Sequence, residues 1–210
     1  MYEQLIHTIR TVGSITRALQ KLKEGDFVGV RGPFGNQWPV SEMKGKDILI
    51  LAGGLGLAPL RPVIYSILTY PNHFQKITLL YGARDPSTLL FSSEFSQWSE
   101  KIEMRFAVDS AGPEWQGHVG VITDLLQKQV LHLTNTVAFI CGPEIMMRFS
   151  AYTLMDRGLR TDQIYISMER NMKCAMGLCG RCQFGPYFIC KHGPVFSFDK
   201  VEQLLRIREL

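Results

Sequence analysis

Four of the chain's five cysteines fall in KCAMGLCGRCQFGPYFIC, residues 173–190. Cys174, Cys179, Cys182 and Cys190 are spaced C-x4-C-x2-C-x7-C. Thiols this close can hold zinc, hold an iron–sulfur cluster or exchange disulfides. Zinc sites usually set two CxxC pairs a dozen or more residues apart, and only one CxxC is present here. C-x4-C-x2-C is instead the plant-type spacing for a [2Fe–2S] cluster, although Cys190 follows sooner than the fourth cysteine of that pattern. Such a loop must wrap the cluster and aim successive thiolates inward. Gly177 and Gly180 supply the unusual φ angles that tight wrapping needs. A [2Fe–2S] cluster is the leading reading, with zinc and redox disulfides as alternatives.

Two other segments carry chemistry in their spacing. In LAGGLGLAPL, residues 51–60, Gly53, Gly54 and Gly56 let a backbone come close to a phosphate. The helix that follows offers free N–H groups and a positive dipole end to an anion. The run is not GxGxxG, and it also fits a plain tight turn. In CGPEIMM, residues 141–147, Cys141, Gly142 and Pro143 join a second strand to a second helix. Cys141 is placed to touch a nicotinamide ring, or it is a small buried thiol at a strand end. Arg84 and Asp85 follow the strand KITLLYGA and are candidates to read a ribose. The five histidines show no metal spacing. His192 sits beside Cys190 but reads as a loop residue, and the methionines, Trp98 and Trp115 read as packing.

These residues need elements to position them. DILILA, KITLLYGA, KIEMRFAV and TVAFIC are short apolar runs rich in strand formers. LAPLRPVIYSILTY, SEFSQWSE, GVITDLLQKQV and PEIMMRFSAYTLMDRG have helical period. Their alternation predicts an α/β domain with a doubly wound parallel sheet over residues 44–163, with ligands beyond the carboxyl ends of its strands. Residues 1–43 read as strand (LIHTIR), short helix (SITRALQKL) and strand (DFVGVRG), a partial β-barrel. Residues 164–210 read as a strand, QIYISME, then the cysteine loop, a small iron–sulfur domain, then a terminal helix, VEQLLRIREL.

An apolar fraction of 46% with 20% charged residues is enough to bury a core in 210 residues. The net charge of +4 gathers into no basic stripe, which argues against nucleic acid. The most apolar run, residues 48–60, is too short and too glycine-rich to span a membrane. MYEQLIHTIR lacks the regions of a secretory signal, so the expected compartment is the cytoplasm, where disulfides rarely persist.

Taken in order, VGSIT, VRGPFG, LAGGLGLAPLRP, YGARDP, CGPEIMM, MERNMKCAMGLCGRC and CKHGPVF resemble the ferredoxin–NADP reductase superfamily. The likeness is to its branch with a C-terminal [2Fe–2S] cluster, which includes hydrogenase gamma subunits and the electron-transfer subunit of dihydroorotate dehydrogenase. The resemblance implies an oxidoreductase subunit that moves electrons between NAD(P)H, FAD and the cluster, to or from a partner subunit. It implies that Arg10, Gly13 and Thr16 contact FAD and that Gly53, Gly54 and Gly56 hold the dinucleotide pyrophosphate. It places Arg84 near the adenosine ribose, Cys141, Gly142 and Pro143 at the nicotinamide, and iron on the four cysteines. Family members begin with further barrel strands and an Arg-x-Tyr/Phe-Ser motif, which this chain lacks. The expectation is that the chain is a fragment of a longer protein, or else that a partner completes the barrel. A non-flavin docking module is the alternative function.

Overall fold

The structure, a computed structural model, describes residues 4–207. It divides into two compact units, Met1–Pro33 and Phe34–Leu210.

In the first unit the one regular element is helix α1, Ser14–Gln20. Gly13 precedes it, and the Thr16 hydroxyl accepts from the N–H groups of Val12 and Gly13 at 3.0 Å each. The segments expected as strands, residues 5–10 and 26–32, join no ladder among the described residues. A strand exists by pairing its main-chain groups with a neighbour, and here none is supplied. Leu5, Ile6, Ile9, Val12, Ile15, Val28 and Val30 are exposed, and Phe27 is 99% exposed.

The second unit is built on a mixed sheet. Its strands are β1 (Asp47–Gly53), β2 (Ile77–Ala83), β3 (Glu103–Val108), β4 (His118–Val119), β5 (Thr136–Cys141) and β6 (Ile164–Ser167), with the edge strand β9 (Val195–Ser197). The order is β4-β3-β2-β1-β5-β6-β9, parallel throughout except for the β6–β9 pair. The expected parallel, doubly wound sheet is present, and an antiparallel edge strand is added to it. Two two-residue strands, β7 (Gln183–Phe184) and β8 (Tyr187–Phe188), pair inside the cysteine segment.

Residues alternate between the two faces of a strand, and β1 shows this directly. Ile48, Ile50 and Ala52 pack with helix α2 (Leu57–Thr69), which buries Leu57, Leu60, Val63, Ile64 and Ile67 as one helical stripe. The short helix α3 (Phe95–Ser99) adds the fully buried Trp98 to that side. Leu49 and Leu51 face the opposite layer, with α4 (Ile122–Gln127), α5 (Glu144–Asp156) and α7 (Phe198–Leu205). Cys182, Phe184, Ile189 and Cys190 belong to this second core, so the cysteine segment is anchored on the α5–α7 side of the sheet. The terminal helix starts three residues earlier than its periodicity suggested, and residues 208–210 of that expectation lie outside the described residues. Among the described residues no helix is long and apolar enough to cross a membrane.

Candidate functional site

The chain leaves β1 outward through β2, β3 and β4, then returns to the other side of β1 with β5. The winding direction therefore reverses between β1 and β5, and a crevice opens beyond their carboxyl ends. Ala52 stands opposite Cys141 in the register, so the two glycine turns meet there. Residues Gly54–Gly56 form one 3-10 turn before α2 begins at Leu57.

The three glycines of this turn differ in surroundings. A Cβ on Gly53 would lie 2.8 Å from Met146 Cε and 3.0 Å from Pro143 Cδ. One on Gly56 would overlap the main-chain carbonyl of Cys141, and one on Gly142 would lie 3.0 Å from Gly53 Cα. These glycines let the two turns pack main chain against main chain. Gly54, at φ +51°, has open space where its Cβ would be. Of the three, it is the one with room for a ligand to approach.

Tyr81, in β2, holds this turn. Its hydroxyl donates to the Gly54 carbonyl and accepts from Leu90 N–H, both at 3.1 Å. Burial raises its pKa. Sequence reasoning missed it because YGAR read as a ribose strand, and nothing local shows that a phenol reaches back to residue 54. Arg84 lies exposed at the end of β2. Asp85 is occupied: its Oδ1 accepts from the N–H groups of Ser87 and Thr88 at 2.9 and 3.1 Å and caps the next turn. Cys141 is buried at the end of β5, and burial pushes its thiol up to about 11. A hydrogen bond from Ser167 opposes that rise and the charge of Glu169 adds to it.

The cysteine segment is organised around its sulfurs. Cys179 is exposed, Cys174 half-buried, and Cys182 and Cys190 are buried. The N–H groups of Met176 and Leu178 point at Cys174 Sγ at 3.4 Å, and that of Gly177 points at Cys190 Sγ at 3.2 Å. Ala175, Gly177 and Gly180 take φ values of 61°, 74° and 73°, which turn these N–H groups inward. Main-chain donors lower the Cys174 pKa to about 6. Burial and the neighbouring Cys182 thiol raise that of Cys190. Side-chain hydrogen bonds pair Cys174 with Cys179 and Cys182 with Cys190. Among the described residues no three His, Cys, Asp or Glu side chains cage a single ion. Two thiol pairs ringed by main-chain N–H groups fit a two-metal, anionic group whose sulfurs accept hydrogen bonds. His192 is engaged locally, its Nδ1 accepting from Phe188 N–H at 2.9 Å.

In the first unit, Arg10 and Gly13 are exposed, and Gly13 has open space around it. The Thr16 hydroxyl donates to the Gly13 carbonyl at 3.2 Å. With no ladder between residues 4 and 33, these residues do not by themselves enclose a flavin.

Comparison with known proteins agrees with both halves of this geometry. The family "Oxidoreductase NAD-binding domain" matches residues 50–151, and "Iron-sulfur cluster binding domain of dihydroorotate dehydrogenase B" matches residues 169–202. Sulfhydrogenase 2 subunit gamma of Pyrococcus furiosus is 36% identical over 208 residues, covering 90% of this chain and 72% of that protein. The probable dihydroorotate dehydrogenase B (NAD(+)) electron transfer subunit of the same organism is 35% identical over 189 residues, covering 90% and 68%. The structure of an NADH-dependent reduced ferredoxin-NADP oxidoreductase superposes with a TM-score of 0.71 at 28% identity, covering 96% of this chain and 72% of that one.

Proposed function

The chain belongs to the ferredoxin–NADP reductase-like family with an iron–sulfur domain, alongside the sulfhydrogenase gamma and dihydroorotate dehydrogenase B electron-transfer subunits, and on that premise we propose that it is an electron-transfer subunit of a larger oxidoreductase. In this reading electrons pass between a nicotinamide nucleotide, FAD and a [2Fe–2S] cluster, to or from a partner subunit. The observation that carries it is the pair of sites in one compact unit: a crevice at the β1/β5 reversal and two thiol pairs ringed by main-chain donors. The parts are a flavin-barrel remnant at 1–43, an NAD(P)-binding domain at 44–163 and the cluster segment at 164–210.

Bound in these places, a nicotinamide nucleotide supplies two electrons and a [2Fe–2S] cluster supplies transfer one electron at a time. The chain's own residues bind and orient. Gly54 leaves room for the pyrophosphate at the start of α2, while Gly53 and Gly56 keep the two turns in contact. Arg84 carries the exposed positive charge for the adenosine end. Gly142 and Pro143 shape the nicotinamide end, where Cys141 presents a thiol that stays protonated at neutral pH. Cys174, Cys179, Cys182 and Cys190 ligate iron, and the N–H groups of residues 176–178 offset negative charge on sulfur. Arg10, Gly13 and Thr16 are the chain's contacts to FAD, which needs further strands to enclose it. All five cysteines are free, which supports a reducing compartment, the cytoplasm.

The test is an anaerobic ultraviolet–visible spectrum of the purified chain, with iron, sulfide and flavin assayed on the same sample. About two irons and two sulfides per chain are expected. A colourless protein carrying zinc defeats the reading. The unpaired first unit favours one competing account, in which the chain docks its cluster on a larger complex without using flavin. Stoichiometric flavin in the isolated chain would exclude that account.

A further inference from the structure

Residues 34–39 form a strap that is tied at both ends. Near one end, Asn36 spends its hydrogen-bonding capacity on a single distant segment. Its main-chain N–H donates to the Gly193 carbonyl at 2.5 Å. Its Nδ2 donates to the carbonyls of His192 at 3.2 Å and Val195 at 2.7 Å, and its Oδ1 accepts from Val195 N–H at 2.9 Å. Gly35, at φ +76°, lies so close to Gly193 that a Cβ would overlap its carbonyl oxygen. At the other end, the Trp38 indole N–H donates to the Pro59 carbonyl at 3.0 Å, and its ring packs 5.3 Å from that of Phe139.

The segment that Asn36 grips follows directly on α6, Ile189–His192, the helix that carries Cys190. Four residues make a single turn, which has almost no stability of its own. This turn is closed by Gly193 N–H donating to the Ile189 carbonyl at 3.1 Å and by the His192 ring bonded back to Phe188. Beyond it, residues 192–195 are pinned by the side chain of a residue more than 150 positions earlier. The Cys190 thiol is thereby set against Gly177 N–H and Cys182.

We propose that Asn36 is a positioning residue for the iron–sulfur site: by locking residues 192–195 it fixes where the Cys190 thiol meets the metal group. This rests on the reading of the four cysteines as ligands. Groups that orient a ligand from behind typically cost about 10–100-fold in metal affinity when removed.

The test compares the full-length chain, reconstituted anaerobically with iron and sulfide, as wild type, Asn36→Ala and Asn36→Asp. Iron release to a ferrous chelator and the electron paramagnetic resonance of the reduced cluster are measured for each. Asn36→Ala is expected to release iron about 10-fold faster and to change the resonance g-values, since support for the ligand and not only for the fold is lost. Asn36→Asp keeps an acceptor for Val195 N–H but loses both donors, so it falls between. Release rate and g-values equal to wild type in a folded Asn36→Ala overturn the proposal. If Asn36→Ala does not fold, Asn36→Asp decides on the same two readouts. A wild-type chain that takes up no iron fails for a different reason, because the assignment of the cysteines then falls first.

Discussion

Both the turn at 53–57 and the loop at 174–190 depend on glycine, but for different physical reasons. In the turn, Gly53 and Gly56 are required because neighbours fill the space where a Cβ would be. In the loop, nothing lies within 4 Å of a Cβ built on Gly180, and what is demanded is its φ of +73°. The first is a packing device, complete once β1 lies beside β5. The second is a conformational device that aims donors and thiols at a centre, and a metal group adds its own binding energy to hold that shape. The nucleotide crevice should therefore survive loss of the cluster, while the cysteine loop should not survive loss of a ligand.

The largest test of that contrast is Cys182→Ser. Its thiol is 2% exposed within the core shared with α5 and α7, and the variant is expected to lose the visible spectrum and essentially all iron. Cys179→Ser, at the exposed end of the loop, should do the same. Nicotinamide nucleotide affinity, read by fluorescence titration, should change less than about two-fold in either variant, because the sites are held by different packing. A matching collapse of nucleotide binding would break the distinction.

The thiols of the two regions should also differ in reactivity when the cluster is absent. Cys174 has a pKa of about 6, and Cys141 one of about 11. At pH 7 the first is mostly thiolate and the second almost wholly thiol. Allowing for the weaker nucleophilicity of the more acidic thiolate, alkylation should favour Cys174 by about 100-fold, before access is counted. Mass spectrometry of iodoacetamide-treated protein measures the ratio. Cys174 labelling should fall as pH drops through about 6, and Cys141 labelling should rise only toward about 11. The raised pKa of Cys141 also fixes a sign. Its neutral thiol supports the fold fully below the ordinary value of 9.0, and that contribution fades as pH climbs toward about 11.

Gly56→Val should destabilise the chain by about 3 kcal/mol, because a side chain is forced against fixed main chain rather than a movable neighbour. Gly54→Ala carries only the left-handed backbone penalty of about 1–2 kcal/mol, and its main effect should be on nucleotide affinity. Thermal melts and titrations of the two variants separate packing from ligand approach. A Gly56→Val protein that melts with wild type would remove the packing account. Tyr81→Phe is the smallest change, about 1–2 kcal/mol, since it leaves Leu90 N–H and the Gly54 carbonyl without their partner. Faster amide exchange confined to residues 54–57 and 90 would show that the phenol pins the turn.

Much of the fold was legible because it is written in local pattern. DILILA, KITLLYGA and TVAFIC are nearly continuous apolar runs, as expected for strands covered on both faces, and each became a central strand. The stripe of α2 was equally plain. The edges were not. Strand β9 is three residues long and pairs antiparallel only because the chain doubles back from the cysteine loop, and β4 is a two-residue pairing. LIHTIR and DFVGVRG have strand composition, yet composition cannot supply the neighbour that makes a ladder.

The chain's order of residues by itself determined the spacing of four thiols, the glycines of two turns and the apolar periods that build a doubly wound sheet. Each depends on neighbours within a few residues, where backbone sterics and side-chain type decide. Only the tertiary structure decided that β1 and β5 lie side by side, so that Gly56 meets the Cys141 carbonyl while Gly54 faces open space. It alone brought Asn36 onto residues 192–195 and the Tyr81 hydroxyl onto Gly54. Those contacts come from strand register and chain crossing, and short-range hydrogen bonding between residues far apart in the chain leaves no mark on the sequence around either partner.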